Sequence, residues 1–395
     1  MAVAQPLRLH YLDGLRGWAA LVVVIFHSTW GLFSYYLPPM RTTSTGLIND
    51  GKLAVYVFFV LSGFVLAHPY LRTGTLQLLQ RTALSRYTRL TIPIAAASFL
   101  ALVLMRMGWL FNVEANAIVD TRKWLAIFYL QTPTIGSWAK FSFYNVFFRY
   151  DESNSYDVFL WTMPFELAGS LLVFGVLALA GPKRLARTLW YAAAGILCYR
   201  EAPMLLCFVY GMVLAEVSLV PTVQRINAHW IADVAGLLLL FIAFECSVHL
   251  RETYSPERCA WIALLIVTSA VVSRPLRYLL ETAPSRFLGK VSFPLYLIHS
   301  LVICSLASLL IIRLDRLGIS HPVVVAITAP LTIAVSLLAA TAFAPIERWA
   351  IQLSRSLADV VFGRRQGGSA RQWSPTQAVS FPDLAPPTTR PHVES

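Results

Sequence analysis

Ten apolar runs constrain this chain more than any other feature of its sequence. They cover roughly residues 15–36, 53–71, 91–110, 158–180, 187–199, 202–219, 230–249, 258–273, 291–312 and 322–345. About 20 apolar residues let one helix cross a bilayer, and most of these runs reach or approach that length. Lipid offers no partner to an open backbone, so each crossing segment must be a helix. The sequence therefore predicts an all-α polytopic membrane protein with about ten transmembrane helices. The fifth run is short and ends in Tyr199-Arg-Glu-Ala-Pro203, which makes it the weakest of the ten. A further short run, 124–130, reads as an interfacial helix.

Charge supports this reading. Only 13% of the residues are charged, against about 25% in soluble domains. With the N-terminus inside, the loop 72–90 carries Arg72, Arg81, Arg86 and Arg89 and no acid. Loop 181–187 carries Lys183, Arg184 and Arg187 and no acid, and 274–290 sets four cations against Glu281. The opposite loops are mixed: 111–157 holds Glu114, Asp120, Asp151, Glu152 and Asp157. This positive-inside bias places both termini in the cytoplasm. It also accounts for the net charge of +12 without a nucleic-acid partner.

The five cysteines lie in or beside apolar runs with no C-x-x-C spacing, so they read as small hydrophobes, not as a metal site or a disulfide frame. The apolar run after the short polar start is long enough to span, so no cleavable signal peptide is expected. Residues 1–361 form the membrane domain. The tail 362–395, rich in Pro, Ser, Thr and Gln, reads as a disordered cytoplasmic segment. No internal repeat is visible, which disfavours inverted-repeat transporters.

Within this frame a few polar residues stand out. Arg16 and His27 are eleven residues apart on the first helix, about 16 Å along its axis and nearly on one face. An ionisable group at the depth of His27 is costly to insert and marks a functional site by default. A core histidine bonded to a neighbouring helix is the plain alternative, and Arg16 alone reads as an interfacial anchor. Arg86 and Arg89 share a helix face. Their planar guanidinium groups suit phosphate, and positive-inside decoration is the plain alternative.

Ser62 and Gly63 permit close helix packing, and Ser62 is also a candidate nucleophile or tunnel-lining residue. Glu166 falls about 12 Å into the fourth run, near the depth of His27, where a carboxylate could orient an imidazole. Tyr296 and His299 share a face of the ninth run and suit either interhelix hydrogen bonds or catalysis. Glu347 and Arg348 read as local ion pairs. The loop 111–157 is dense in aromatic residues, which suits either a sugar site or an interfacial belt.

Four blocks of the sequence resemble the acyltransferase 3 family, integral-membrane O-acyltransferases of surface glycans and related acceptors. They are Leu12-Asp13-Gly14-Leu15-Arg16-Gly17-Trp18-Ala19-Ala20 running on to Phe26-His27, then Phe58-Phe59-Val60-Leu61-Ser62-Gly63-Phe64. Arg86-Tyr-Thr-Arg89-Leu and Ser292-Phe-Pro-Leu-Tyr296-Leu-Ile-His299 follow in the family's order. Ala54 stands where many members carry Gly, and no appended hydrolase-like domain is recognised. The resemblance implies His27 as general base on the acceptor hydroxyl, with Arg16 near the acyl donor and Asp13 as a further candidate in that block. It implies Arg86 and Arg89 as the pair that binds coenzyme A phosphates, and Glu166 as a polar residue near the centre.

The donor would be cytosolic acetyl-CoA or a related acyl-CoA, with no metal. The acceptor would be a hydroxyl of a glycan or lipid-linked sugar, reached from the outer side of a cell (inner) membrane. The competing class is an exporter or flippase of a sugar polymer, with His27 and Glu166 lining a polar path. A small-molecule acyltransferase would differ only in its acceptor.

Overall fold

The computed structural model describes residues 9–42, 46–250, 253 and 255–363. From residue 364 onward the expected cytoplasmic tail lies outside the described residues. Among the described residues the secondary structure is helical throughout. The main helices are α1 His10–Phe26, α2 Gly51–Thr73, α3 Leu76–Met107, α4 Met163–Ala180, α5 Arg184–Glu201 and α6 Leu206–Ser218. They continue with α7 Trp230–His249, α8 Pro256–Val272, α9 Arg274–Leu280, α10 Ala283–Val302, α11 Ser308–Arg316 and α12 His321–Phe362.

Each of the ten apolar runs is helical over most of its length, but they do not all become full-length spans. By length and composition six helical segments can cross a membrane: α2, α3, Val158–Ala180, α7, Ala283–Arg316 and α12. A seventh follows if α8 and α9, bent by 95°, are one span. The count of about ten is therefore not reached by these measures, for local reasons. The α1 helix has 17 residues and passes directly into a five-residue π turn, His27–Gly31. The α6 run is opened by a short 3-10 turn, Pro203–Leu205. Apolar composition alone does not show such breaks.

Two close helix contacts organise the interior. The most extensive is α1 against α10. A Cβ on Gly17 would collide with the backbone of Leu288 and Gly289, so the absence of side chains sets this spacing. Trp18 Nε1 donates to Ser285 Oγ at 2.9 Å across the same contact. The second is α2 against α6, where a Cβ on Gly63 would strike the Phe208 backbone and one on Gly211 would strike that of Val60 and Phe64. The Ser62-Gly63 pair thus serves helix approach. The α10 helix also packs on α12, α12 on α3, and α4 on both α2 and α3. Large apolar residues such as Leu179, Leu185, Phe241 and Leu338 remain on the outside, as a lipid-facing surface requires.

The segment between α3 and α4 folds back onto the bundle. Phe111 N donates to the Cys304 carbonyl at 2.8 Å. Asn112 Nδ2 donates to the carbonyls of Leu125 and Phe128, both at 3.0 Å. Stretch 124–130 is therefore not the interfacial helix that its apolar residues suggest. It is a single 3-10 turn, Leu125–Ile127, with Leu125 and Phe128 fully buried. The backbone leading into and through it takes positive φ at Asp120, Arg122, Lys123 and Tyr129. Such non-glycine positions cost on the order of 1–3 kcal/mol each and persist where the surroundings hold them.

Candidate active site

The first residue of the π turn is His27. A π turn inserts one residue per turn and re-aims the side chains that follow, and such turns recur at functional sites. The His27 ring lies face to face with Trp124, with centroids 5.5 Å apart and planes 5° apart. It also meets Phe159 at 4.1 Å and His299 at 5.6 Å. Phe159 in turn stacks on His299 at 4.6 Å. Four rings from four separate parts of the chain thus enclose one point. A cavity of about 100 Å³ opens beside it, lined by His27, Trp124, Phe128, Glu152, Val158, Phe159 and Trp161.

Hydrogen bonds hold the walls of this enclosure. The Tyr296 hydroxyl donates to the Phe159 carbonyl and accepts from Thr162 Oγ1 at 2.7 Å. Tyr296 thus fixes the turn that presents Phe159 and does not reach the cavity. His299 Nδ1 lies 2.8 Å from the Tyr296 carbonyl and 3.2 Å from that of Leu295. A carbonyl only accepts, so Nδ1 carries the proton and Nε2 the lone pair. Asp157 caps the turn into α4, with Oδ1 accepting from Phe159 N at 3.1 Å. Burial pushes its carboxyl up to about 7.

The cationic residues gather at the other end of the same helices. Glu166 pairs with Arg86, and its Oε1 also accepts from Ser62 Oγ at 2.7 Å. Arg86 Nε donates to Ser170 Oγ at 2.9 Å. Glu166 is therefore a partner of Arg86 and not of His27, and the Ser62 hydroxyl is committed to that carboxylate. Arg16 bonds Asp13 at 3.4 Å on its own helix. It also stands within electrostatic reach of Arg86 and Arg89. Arg89 is exposed and makes no hydrogen bond among the described residues. Its charged neighbours are Arg86, Glu347, Arg16 and Arg355, so this end is strongly positive.

Two helix faces join the ends. On α1 the face runs from Arg16 to His27. On α4 and the turn before it, Phe159, Thr162, Glu166 and Ser170 recur at helical spacing over about 16 Å. The upper two of these residues touch the histidine enclosure and the lower two hold Arg86. The sequence singles out Asp13, Arg16, His27, Ser62, Glu166, Tyr296, His299 and the arginine pair, which the structure gathers at or beside these two ends. Sequence reasoning missed Phe159, Thr162 and Ser170, whose spacing from Glu166 was the available signal. It placed Trp124 in an interfacial stretch, although the aromatic density of that loop already suggested a ring site. Among the described residues no group of three or more His, Cys, Asp or Glu is placed to hold a metal ion.

Comparison with known proteins bears on this arrangement. A family described as an acyltransferase domain, Acyl_transf_3, matches residues 9–341. The O-acetyltransferase PaAT-1 of Phomopsis amygdali is 22% identical over 358 residues, covering 73% of this chain and 71% of that protein. No solved structure matches.

Proposed function

This chain belongs to the acyltransferase 3 family, and from that membership we propose that it moves an acetyl group from cytosolic acetyl-CoA to a hydroxyl of a glycan or lipid-linked sugar. The observation that carries the proposal is the division of one helix pair into a cationic end and a histidine end. Coenzyme A is a phosphorylated thiol carrier, and the exposed Arg89, with Arg16 and Arg355 in electrostatic reach, suits its phosphates. Arg86 supports this end from within its pair with Glu166. The thioester would then be presented towards His27.

His27 acts as the general base. It takes the acceptor's hydroxyl proton as that oxygen attacks the thioester carbonyl. The new C–O bond forms, the C–S bond breaks, and the departing thiolate recovers the proton from His27. Trp124, stacked on the His27 ring, and Phe159, tilted against it, hold the imidazole and keep bulk water from the thioester. Trp124, Phe128 and Trp161, with the Glu152 carboxylate at the rim of the cavity, suit a sugar ring on the acceptor side. In this reading transfer is direct, and the Ser62 hydroxyl helps hold Glu166 in its pair with Arg86.

The topology we propose for this reaction counts the shorter and bent helices as crossings too, for about ten spans in a cell (inner) membrane with both termini cytoplasmic, the arginines inside and the aromatic cavity outside. The acyltransferase unit is residues 1–361, and 362–395 is its tail.

The test uses membranes containing the protein, supplied with [14C]acetyl-CoA. Label should enter the glycan or glycolipid fraction with wild type and fall at least about a hundredfold with His27→Ala, the usual range for a lost general base. Equal labelling by the variant would overturn His27 as the base. No labelling by folded wild type would overturn the transfer itself.

A further inference from the structure

Two ring nitrogens in the enclosure are buried without a hydrogen-bond partner: Nδ1 of His27 and Nε2 of His299. Buried polar atoms are nearly always paired, so each exception calls for a reason. The two rings are neighbours, with centroids 5.6 Å apart and planes 31° apart. An N–H···N bond of about 3 Å joining two imidazoles brings their centroids to about 5 Å, because each nitrogen lies about 1 Å from its ring centre. The observed separation of 5.6 Å exceeds that by roughly half an ångström. The two atoms complement each other in chemistry, and although they are not bonded in the structure the rings stand close enough for a small rotation to join them.

The direction of the bond follows from the His299 anchor. Its Nδ1–H donates to the Tyr296 carbonyl, so its Nε2 can only accept. The donor must then be His27 Nδ1–H. That tautomer leaves Nε2 of His27 with the lone pair that a general base requires. The other tautomer would place the proton on Nε2 and leave the ring unable to take one there. In serine hydrolases a carboxylate on Nδ1 imposes the same choice. Here Glu166, the carboxylate expected for that task, is held by Arg86. Among the described residues no carboxylate bonds either histidine.

We propose that His299 is the positioning residue of the reaction: its Nε2 accepts from His27 Nδ1–H and fixes His27 as the tautomer whose Nε2 faces the acceptor hydroxyl. This rests on His27 being the base. The chain runs from the Tyr296 carbonyl through His299 to His27, and each link donates towards α10. The π turn Ile303–Ala307 that follows α10 leaves the backbone around His299 helical and undisturbed. Phe159, stacked on His299 and tilted against His27, touches both rings and limits their movement.

The experiment is 15N NMR of histidine-labelled protein in nanodiscs, with His27 assigned by its loss in His27→Ala. Wild-type His27 should be protonated on Nδ1, and in His299→Phe the proton should move to Nε2. His299→Gln offers an amide oxygen at about the same reach and should keep the Nδ1 form. Acetyl transfer should follow the tautomer. His299→Phe should lose about a hundredfold in turnover with an unchanged KM for acetyl-CoA, whereas His299→Gln should stay within about tenfold of wild type. Protonation of wild-type His27 on Nε2 would overturn the proposal even if His299→Phe fails to fold, and so would an unchanged tautomer in that variant. The spectra need neither donor nor acceptor, so failure of the acetyl-CoA reading would leave this result readable.

Discussion

Replacing Arg86 by Met separates two roles that a cation at this position can have. In the structure Arg86 is the main partner of Glu166, and both side chains are largely enclosed, at 12% and 11% exposure. Without the guanidinium, Glu166 keeps only the Ser62 hydroxyl on Oε1, and the Ser170 hydroxyl loses the Arg86 Nε–H it accepts. Removing one partner of a buried ion pair costs about 3–5 kcal/mol, because the other charge stays behind. That is a factor of roughly a hundred to a few thousand in the folding equilibrium.

Removing both charges with Arg86→Met and Glu166→Leu leaves no orphan, and apolar replacement of such pairs is often neutral. Equilibrium unfolding in mixed micelles should therefore show Arg86→Met and Glu166→Leu each strongly destabilised and the double variant close to wild type. The coupling energy, the double variant's shortfall from the sum of the singles, should then be about 6 kcal/mol or more, beyond the roughly 0.5–3 kcal/mol usual for contacting residues. Additive losses in the double variant, or an Arg86→Met protein as stable as wild type, would refute the reasoning. The latter result would return Arg86 to the role of a direct phosphate ligand.

Further outcomes follow from other contacts. Gly63→Val should destabilise the α2–α6 contact by about 1–3 kcal/mol or more, because its side chain would meet the Phe208 backbone; thermal unfolding reads this directly. Asp157→Asn keeps the cap on Phe159 N but removes a carboxyl whose folded value is about 7. The unfolded chain ionises near 4 while the folded protein holds the proton, so wild-type stability should fall between about pH 4 and pH 7 and level off above. The variant should lack that slope, and unfolding midpoints at pH 4.5, 6 and 8 would show it. Trp124→Ala removes the ring stacked on His27 and opens the cavity; it should raise the acceptor KM in membrane assays while leaving acetyl-CoA affinity within about twofold.

The parts of the fold legible in the sequence are those fixed by composition and helical spacing. The ten apolar runs are helical over most of their length, Gly63 sits at a close contact, and Arg86 and Arg89 share a face because helix periodicity puts them there. Span length was less legible, since a π turn after Phe26 and a 95° bend after Val272 depend on tertiary packing. Partner choice at Glu166 was not legible. Depth alone allowed His27 or an arginine, and only the way α4 faces α3 decides for Arg86. Stretch 124–130 misled for a related reason. Its apolar residues suit a membrane surface as well as a buried turn, and the Asn112 side chain that pins that turn lies more than ten residues away. The His27–His299 juxtaposition spans most of the chain and follows from the α1–α10 contact, where Gly17 meets Gly289.

The most direct test of the central claim is acetyl-CoA binding to the purified protein in nanodiscs, measured by calorimetry on wild type and on Arg89→Ala. Arg89 makes no hydrogen bond among the described residues, so its loss should leave the fold intact while removing a charge-assisted contact worth about 1.5–3 kcal/mol. The account expects saturable binding by wild type, weakened at least about tenfold in the variant. Folded wild type that fails to bind acetyl-CoA, or a variant that binds as tightly, would contradict it.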